Sequence, residues 1–372
     1  MQLLRVPGIL LLVLGVSLCV AGQRAARSVC DYYPPESRVR DLSLQGWFNW
    51  HDGPYVDDRD RSRSTDVVVD YGELSSSSSF GHTIDARAEI RGTSEGWTEE
   101  LAGSASLRTH TNEDVFLVGA LGLDASSVSG LELDVTGGIG SGRFRNVTPL
   151  AQAIRVQNEL LDLGELLAPV GDDMLLELAQ ILGDVASTDD EKTIRVTERL
   201  VETGLTSGEQ LGVRGLLAIE EIVGSQDQTR LCGRDIQARL GASARIAPQF
   251  DLAATGILLA RFAAVPDPIS QVDSDIEVKM RLAHPDELNV EADLSYTRRL
   301  PGSWSGRAEY RLVVDRMWTD RDLTTMAHRF SASLSTQVLT AVGLSFTGDA
   351  EYETGDEEIS FTLTVQLEAD LL

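Results

Sequence analysis

The sequence predicts a mainly β protein: an antiparallel transmembrane β-barrel of about 14 strands with an inserted α-helical subdomain. Most of the chain consists of segments of 10 to 14 residues in which apolar and polar side chains alternate. This length suits a tilted membrane strand better than the usual soluble strand of about 5–6 residues. One central stretch has helical spacing instead. A mean hydropathy of −0.08 excludes a bundle of transmembrane helices but not a barrel, because in a barrel apolar residues alternate with interior ones.

Residues 1–22 are predicted to be a secretory signal peptide. Arg5 supplies a positive charge, and residues 9–20 form an apolar run followed by small residues. The run is too short to span a bilayer, which needs about 20 residues. An uncleaved anchor and a lipid-modified Cys19 are the alternatives, and Leu18 in front of the cysteine disfavours lipidation. The sequence therefore predicts an exported protein.

Residues 42–146 are predicted to contain strands 1 to 6. In residues 80–91, apolar side chains such as Ile84 alternate with charged ones such as Asp85, as expected for a strand with two different faces. The six alternating segments are 42–50, 64–71, 80–91, 99–110, 114–124 and 129–142.

Residues 147–231 interrupt the alternation and are predicted to form a four-helix insert. Thr148 is predicted to cap the first helix, and Asp172 to open the second. Residues 188–191 form a capping box for the third helix, and Ser207 is predicted to lead the fourth. With 16 acidic and 6 basic residues over 148–230, the insert has a net charge of −10.

Residues 232–372 are predicted to contain strands 7 to 14. The eight alternating segments are 235–246, 249–262, 272–284, 286–299, 303–316, 324–337, 339–350 and 357–371. Together with the six earlier segments they make fourteen, an even number, as bacterial single-chain barrels have.

The last strand resembles the final strand of bacterial outer-membrane β-barrels. Apolar residues from Ile359 to Leu371 alternate with polar ones almost to the C-terminus, although that family usually ends on Phe or Trp and this chain ends on Leu372. The stretch from Gly138 to Ala153 is similar to a strand-to-helix junction of other exported barrels. The resemblance implies a porin-like protein of the bacterial outer membrane. Residues 23–41, the insert and the C-terminus would then be periplasmic, because an even number of strands precedes each of them.

The polar face of the barrel strands is the predicted functional site, because it would point charged side chains into the lumen. The predicted pore-lining residues are Asp85, Arg87, Glu89, Arg91, Arg239, Asp275, Glu277, Lys279, Arg281, Arg307, Glu309 and Arg311. Guanidinium groups that face carboxylates polarise a pore constriction, but they can equally cross-link one another and fill the interior. One interpretation is therefore a passive pore for small solutes, in which the insert is a periplasmic gate or docking module. A non-conducting scaffold barrel that binds a periplasmic partner and a soluble secreted β-protein are the others.

Two cysteines remain once the signal peptide is removed. Cys30 precedes strand 1 and Cys232 precedes strand 7, so both belong to the predicted periplasmic side, which is an oxidising compartment. We predict a Cys30–Cys232 disulfide, and two separate thiols are the alternative.

Other features indicate no chemistry. The glycines of residues 137–142 lack the Lys-Ser/Thr of a P-loop and indicate a close backbone approach instead. The histidines show no metal-ligand spacing, and His328 alone on an apolar face does not make a catalytic site. No enzymatic activity, metal or cofactor is predicted. The net charge of −26 argues against nucleic acid. The predicted partners are outer-membrane lipid and a periplasmic protein bound through the insert.

Overall fold

The structure is a computed structural model of the 372-residue chain. It describes residues 29–34, 37–50, 63–77, 79–93, 96–112, 114–127, 130–184, 186–208, 210–224, 229–246, 250–282, 287–300, 304–317, 323–339, 342–353 and 360–369. The signal peptide predicted at 1–22 and the last three residues of the chain lie outside these ranges. Most of the chain, including every strand and helix below, lies within them.

Fourteen strands form one antiparallel sheet in which each strand pairs with the next along the chain. The strands are β1 (Ser37–Trp50), β2 (Arg63–Ser76), β3 (Phe80–Thr93), β4 (Gly96–His110), β5 (Val115–Ser126), β6 (Gly130–Asn146), β7 (Leu231–Ile246), β8 (Asp251–Ala264), β9 (Ser270–Arg281), β10 (Glu287–Arg299), β11 (Trp304–Met317), β12 (Leu323–Leu339), β13 (Val342–Glu353) and β14 (Ser360–Ala369). The predicted mainly β fold with fourteen strands, interrupted by helices after the sixth, is confirmed.

The two edges of the sheet, β1 and β14, approach each other. Residues of the two strands come within 8 Å, measured between Cα atoms. Within the part of the chain that the structure describes, no ladder of hydrogen bonds joins them. The sheet therefore has two neighbouring edges, and the predicted ring of strands is not closed. The side-chain alternation predicted for the last strand lies, beyond Thr362, outside the described side chains.

The two faces of the sheet differ in the sense that the alternation predicts. On β5, Leu117 and Leu121 are 54% and 59% exposed. The alternate residues Phe116 and Val118 are buried on the opposite face. The apolar face thus points outward and the polar face, with a few large apolar residues, points inward.

Glycines let β5, β6 and β7 pack closely. A Cβ atom on Gly140 would overlap the ring of Phe116 and lie 2.9 Å from the carbonyl oxygen of Ile236. Gly142 has a φ of 108°, a conformation that glycine adopts without strain. The glycine run of residues 137–142 is therefore part of β6, and its predicted close backbone approach is confirmed.

Four helices lie between β6 and β7 in the described chain: α1 (Thr148–Asp162), α2 (Asp172–Leu182), α3 (Asp189–Glu202) and α4 (Val213–Gly224). Their core consists of fully buried apolar side chains, including Leu160, Leu178, Leu200 and Ile219. Residues 147–228 belong, with residues 265–268 and the described chain before Pro34, to one compact unit; the strands belong to a second. No helix among the described residues combines the length and the apolar character needed to cross a membrane.

The helix ends confirm two predictions and correct two. The second helix begins at Asp172, as predicted. Thr188 and Glu191 form the predicted capping box of α3. The N-cap of α1 is Val147 rather than Thr148, which is already helical. The fourth helix begins at Val213 rather than at Ser207, because the chain before it is held by non-helical hydrogen bonds. Among these, the backbone N–H of Gly212 donates to Glu165 at 2.9 Å.

Candidate functional site

The inward face of the sheet contains all twelve predicted pore-lining residues. Directly opposed residues of neighbouring strands share a face, and the register continues across the sheet: Asp275 opposes Asp293, and Asp293 opposes Arg311. By the same register Glu277 opposes Glu291 and Arg239 opposes Ile257. The charged side chains of β3, β7, β9 and β11 therefore face one shared interior.

Ion pairs between strands that are not neighbours show that this face is concave. Lys279 of β9 contacts Asp134 and Glu132 of β6, with its Nζ 2.9 Å from Asp134 Oδ2 and 3.3 Å from Glu132 Oε1. Arg108 of β4 contacts Asp235 of β7 at 2.8 Å, Nη1 to Oδ2. Each contact passes over two intervening strands, so the sheet curls around the charged side chains.

Arg108 and Asp235 form a deeply buried ion pair of the interior, with side chains 8% and 0% exposed. Gln237 donates to both oxygens of Asp235, at 2.9 and 2.8 Å. The guanidinium carbon of Arg108 lies 5.4 Å from the ring centre of Phe116, a cation–π arrangement. These four side chains fill one part of the interior.

Hydrogen bonds also join β1 and β2 to the end of β6 that precedes the helices. The backbone N–H of Asn146 donates to Ser37 Oγ at 3.0 Å. Arg143 donates from Nε to Ser76 Oγ and from Nη2 to the Ser76 carbonyl, both at 3.1 Å. These hydrogen bonds thus connect strand ends that are not neighbours in the sheet.

Three cavities are lined by interior residues. The acidic cavity, of about 760 Å³, has seven carboxylates and two basic groups in its lining. The narrow cavity, of about 150 Å³, has three carboxylates and three arginines. The mixed cavity, of about 680 Å³, has six carboxylates and five arginines. The charged lining residues are, for the acidic cavity, Asp70, Asp85, Asp124, Glu132, Asp134, Glu277, Glu291, Arg87 and Lys279; for the narrow cavity, Asp85, Asp134, Glu277, Arg108, Arg239 and Arg261; and for the mixed cavity, Asp85, Asp273, Asp275, Asp293, Glu309, Asp349, Arg108, Arg261, Arg307, Arg311 and Arg329.

The three cavities share lining residues. Asp85, Asp134 and Glu277 line both the narrow and the acidic cavity. Asp85, Arg108 and Arg261 line both the narrow and the mixed cavity. The narrow cavity therefore adjoins both wide cavities, and Asp85 lines all three.

Nine of the twelve predicted residues line these cavities, and three do not. Those three form ion pairs on the same face. Arg91 contacts Glu89 at 2.7 Å, and Arg281 contacts Asp251 at 3.2 Å.

Ion pairs also occur among the cavity-lining residues. Arg311 contacts Glu291 at 3.0 Å and Asp293 at 3.7 Å, and Arg307 contacts Glu309. Asp275 contacts Arg261 at 2.7 Å. Part of the interior is thus cross-linked by ion pairs.

Sequence reasoning missed the residues that fill the interior: Arg108, Asp235, Gln237 and Phe116. Arg108 and Asp235 lay in predicted strands at inward positions, so their alternation with apolar neighbours was a usable signal. Their pairing was not predictable, because it depends on how strongly the sheet curls. Phe116 had no signal, because apolar residues flank it on both sides in sequence.

The outward face carries two polar clusters. Tyr310 Oη lies 2.8 Å from His328 Nδ1, and the ring of Tyr352 lies 6.1 Å from that of His328. No acidic partner of His328 is present among the described residues. In the second cluster Glu73 accepts from Arg40 at 3.1 Å and from Tyr71 at 2.7 Å. Both clusters are locally satisfied hydrogen-bonding groups.

The predicted disulfide between Cys30 and Cys232 is present.

In the helical unit, the Ser187 hydroxyl and the Arg195 guanidinium, which bond to Asp184, hold the pKa of that carboxyl below its usual range. The structure describes no group of three or more His, Cys, Asp or Glu side chains placed to hold a metal ion.

No protein-family model matches the sequence, and no curated protein matches it. Among solved structures, this chain is similar to the CymD monoaromatic hydrocarbon channel, with a TM-score of 0.28 and 10% sequence identity. The similarity covers 90% of this chain and 88% of that chain.

Proposed function

We propose that this protein is an outer-membrane β-barrel through which small polar solutes pass passively. The observation that carries the proposal is the inverted arrangement of the sheet. Large apolar side chains such as Leu117, Leu240 and Leu258 are exposed on the outward face, and charged side chains line the inward cavities. Exposing apolar surface to water costs about 25 cal/mol per Å², whereas the hydrocarbon of a bilayer accepts it. A β-sheet folded for water has the opposite arrangement.

The proximity of β1 and β14 supports closure of the sheet in lipid. Edge strands leave backbone N–H and C=O groups unpaired, and no water is present in the bilayer core to satisfy them. Each such group costs several kcal/mol in hydrocarbon, on the order of 2–7 kcal/mol. The approach of the two edges to within 8 Å means that a small movement can join them in a ladder.

The shared walls of the three cavities support a passage. A solute in either wide cavity is next to the narrow cavity, because each wide cavity shares lining residues with it. Charged and polar linings suit hydrated polar solutes rather than apolar ones. The proposed transport is passive diffusion through this charged interior.

The proposal is tested on protein extracted from membranes with detergent. We expect the protein in the outer-membrane fraction and expect faster gel migration before boiling than after, as for closed barrels. Reconstitution into planar bilayers should give discrete conductance steps. Recovery in the soluble fraction, or a membrane-inserted barrel without conductance, would contradict the passage.

A second candidate is a non-conducting barrel that binds a periplasmic protein through the helical unit. Two observations favour it. The Arg108–Asp235 pair and Phe116 fill part of the interior, and α4 exposes Val213 and Leu217, one helical turn apart, at 74% and 58%. Absence of conductance together with a co-purifying protein that is lost in a Val213→Ser/Leu217→Ser variant would favour this candidate.

A further inference from the structure

The narrow cavity has the chemistry of a recognition site, and we propose that it selects small zwitterionic solutes, meaning molecules of about amino-acid size that carry one positive and one negative charge. The inference rests on the proposed passage function and adds the class of solute. The three carboxylates and three guanidinium groups that line the narrow cavity are equal in number. A solute with a single charge of either sign is therefore attracted by one set of groups and repelled by the other. A solute with both charges can gain two attractions.

Three of the six charged groups of the narrow cavity have no ion-pair partner within 4.0 Å among the described residues: Asp85, which accepts from the Ser104 hydroxyl at 3.4 Å, Arg239 and Glu277. Arg239 and Glu277 nevertheless interact electrostatically. Both line the narrow cavity. A gap between opposite charges in a low-dielectric interior is a favourable place for a complementary dipole. The carboxylate of a zwitterion would lie against Arg239 and its ammonium group against Glu277.

Unsatisfied buried atoms mark the same place. Gln237 is 3% exposed, lines the narrow cavity, and leaves its Oε1 without a hydrogen-bond partner. The Nε of Arg239 is likewise without a partner. A buried acceptor or donor that is left unbonded costs about 1–3 kcal/mol, so one missing acceptor and one missing donor fit a ligand that supplies both.

The size of the cavity sets the size of the solute. A cavity of about 150 Å³ is comparable to those that hold a molecule of about six non-hydrogen atoms. The two wide cavities, which adjoin it, are large enough to admit the same solute with part of its hydration shell. Discrimination is therefore concentrated at the narrow cavity.

The test compares glycine with glycolamide, its uncharged isomer, in a swelling assay on liposomes that contain the purified protein. The two solutes have the same atoms, so size and mass cannot separate them. We expect glycine to enter at least about threefold faster than glycolamide. Arg239→Gln and Glu277→Gln should each bring the ratio of the two rates close to one, with gel mobility before boiling used to verify that each variant is folded.

Arg245→Gln is the matched control. Arg245 is on the same strand and face as Arg239, but it contacts Glu132 and lines none of the three cavities. It should keep the wild-type ratio. A wild-type ratio near one, or an unchanged ratio in both test variants, overturns the zwitterion inference and leaves the passage standing. Absence of swelling with either solute overturns the passage and the inference together.

Discussion

Arg108 and Asp235 show how a single pair of residues can constrain the interior. Both side chains are almost fully buried, and Gln237 adds two hydrogen bonds to the carboxylate. A buried pair gives little net stability over an apolar pair, because both charges lose water. Removal of one partner is different, since it leaves the other charge buried and uncompensated. The pair therefore fixes how β4 and β7 face each other more than it adds to stability.

Asp235→Asn should destabilise the folded protein by about 3–5 kcal/mol, because it leaves Arg108 buried without a counter-charge. Arg87→Gln is the control: Arg87 is half exposed beside Glu89, and such pairs contribute about 0–1 kcal/mol. Urea unfolding in lipid vesicles measures both. Equal midpoints for the two variants would show that the Arg108–Asp235 pair is solvated in the membrane.

Gly140 is a second residue at which the space around the side chain determines how much a substitution destabilises the protein. Gly140→Ala should cost about 1–3 kcal/mol, because its Cβ meets the Phe116 ring and the backbone of β7. Gly119→Ala, on the outward face of β5 with no atom within 4 Å of its new Cβ, should be neutral or slightly stabilising. The same urea experiment compares them, and similar losses in both variants would place the cause in strand propensity rather than packing.

At the scale of elements, the junction between strands and helices is the main feature. β6 and β7 are paired as far as Asn146 and Leu231, so the two strands are neighbours up to the residues that flank the helices. The helices have their own buried core and their own capping box. The sheet thus uses the helical segment as a connection, and a short turn between the same strands is geometrically sufficient.

Replacement of residues 147–228 by a short Gly/Ser linker should therefore leave the fourteen-stranded sheet folded. Cys232 and the whole of β7 are retained in this variant. The expected result is unchanged gel mobility before boiling and unchanged recovery in the membrane fraction. If this variant no longer folds, the helices are needed to hold the sheet together. The control for chain length is a variant in which the sequence of residues 147–228 is shuffled rather than removed.

Among the elements, the strands were predicted well from the sequence and the helix starts were predicted less well. Alternation predicted all fourteen strands, because a strand with a polar and an apolar face has a period of two wherever it lies in the sheet. Helix starts were less predictable. α4 begins six residues after Ser207, since Gly212 bonds to Glu165, a residue far away in sequence. Likewise, the inward position of Phe116 depends on the glycines of a neighbouring strand, which a local pattern does not contain.

At the scale of the whole molecule, the main feature is the inverted distribution of polarity, with apolar side chains outside and charged side chains inside. The charged residues of the interior could be predicted from the sequence, because the alternation along a strand shows which residues share its polar face. Which of them meet across the interior could not, since Lys279 and Asp134 are brought together by curvature. Curvature is set by the whole sheet, and no single strand encodes it.

Val290→Arg should destabilise the folded protein in a bilayer by up to about 2–4 kcal/mol, because Val290 lies on the outward face of β10 and a charge there must be moved out of hydrocarbon. Asn289→Arg is the matched control. Asn289 lines the acidic cavity and contacts Asp315 at 2.8 Å, so an arginine there meets carboxylates. Refolding into vesicles at increasing urea gives both values, and equal losses would argue against a lipid-facing outward side.

The neighbour-to-neighbour strand order has a consequence for the speed of folding. Twelve of the thirteen ladders join strands that follow each other after a short connection, so each can form as a local hairpin. The β6–β7 ladder must wait until the chain between Asn146 and Leu231 has been brought together. Loop closure costs about 0.6 kcal/mol for each doubling of length, or roughly 2–3 kcal/mol more here than for a short turn. Early collapse of the four helices shortens the effective loop and reduces this cost, so helix formation should precede the pairing of the two halves of the sheet.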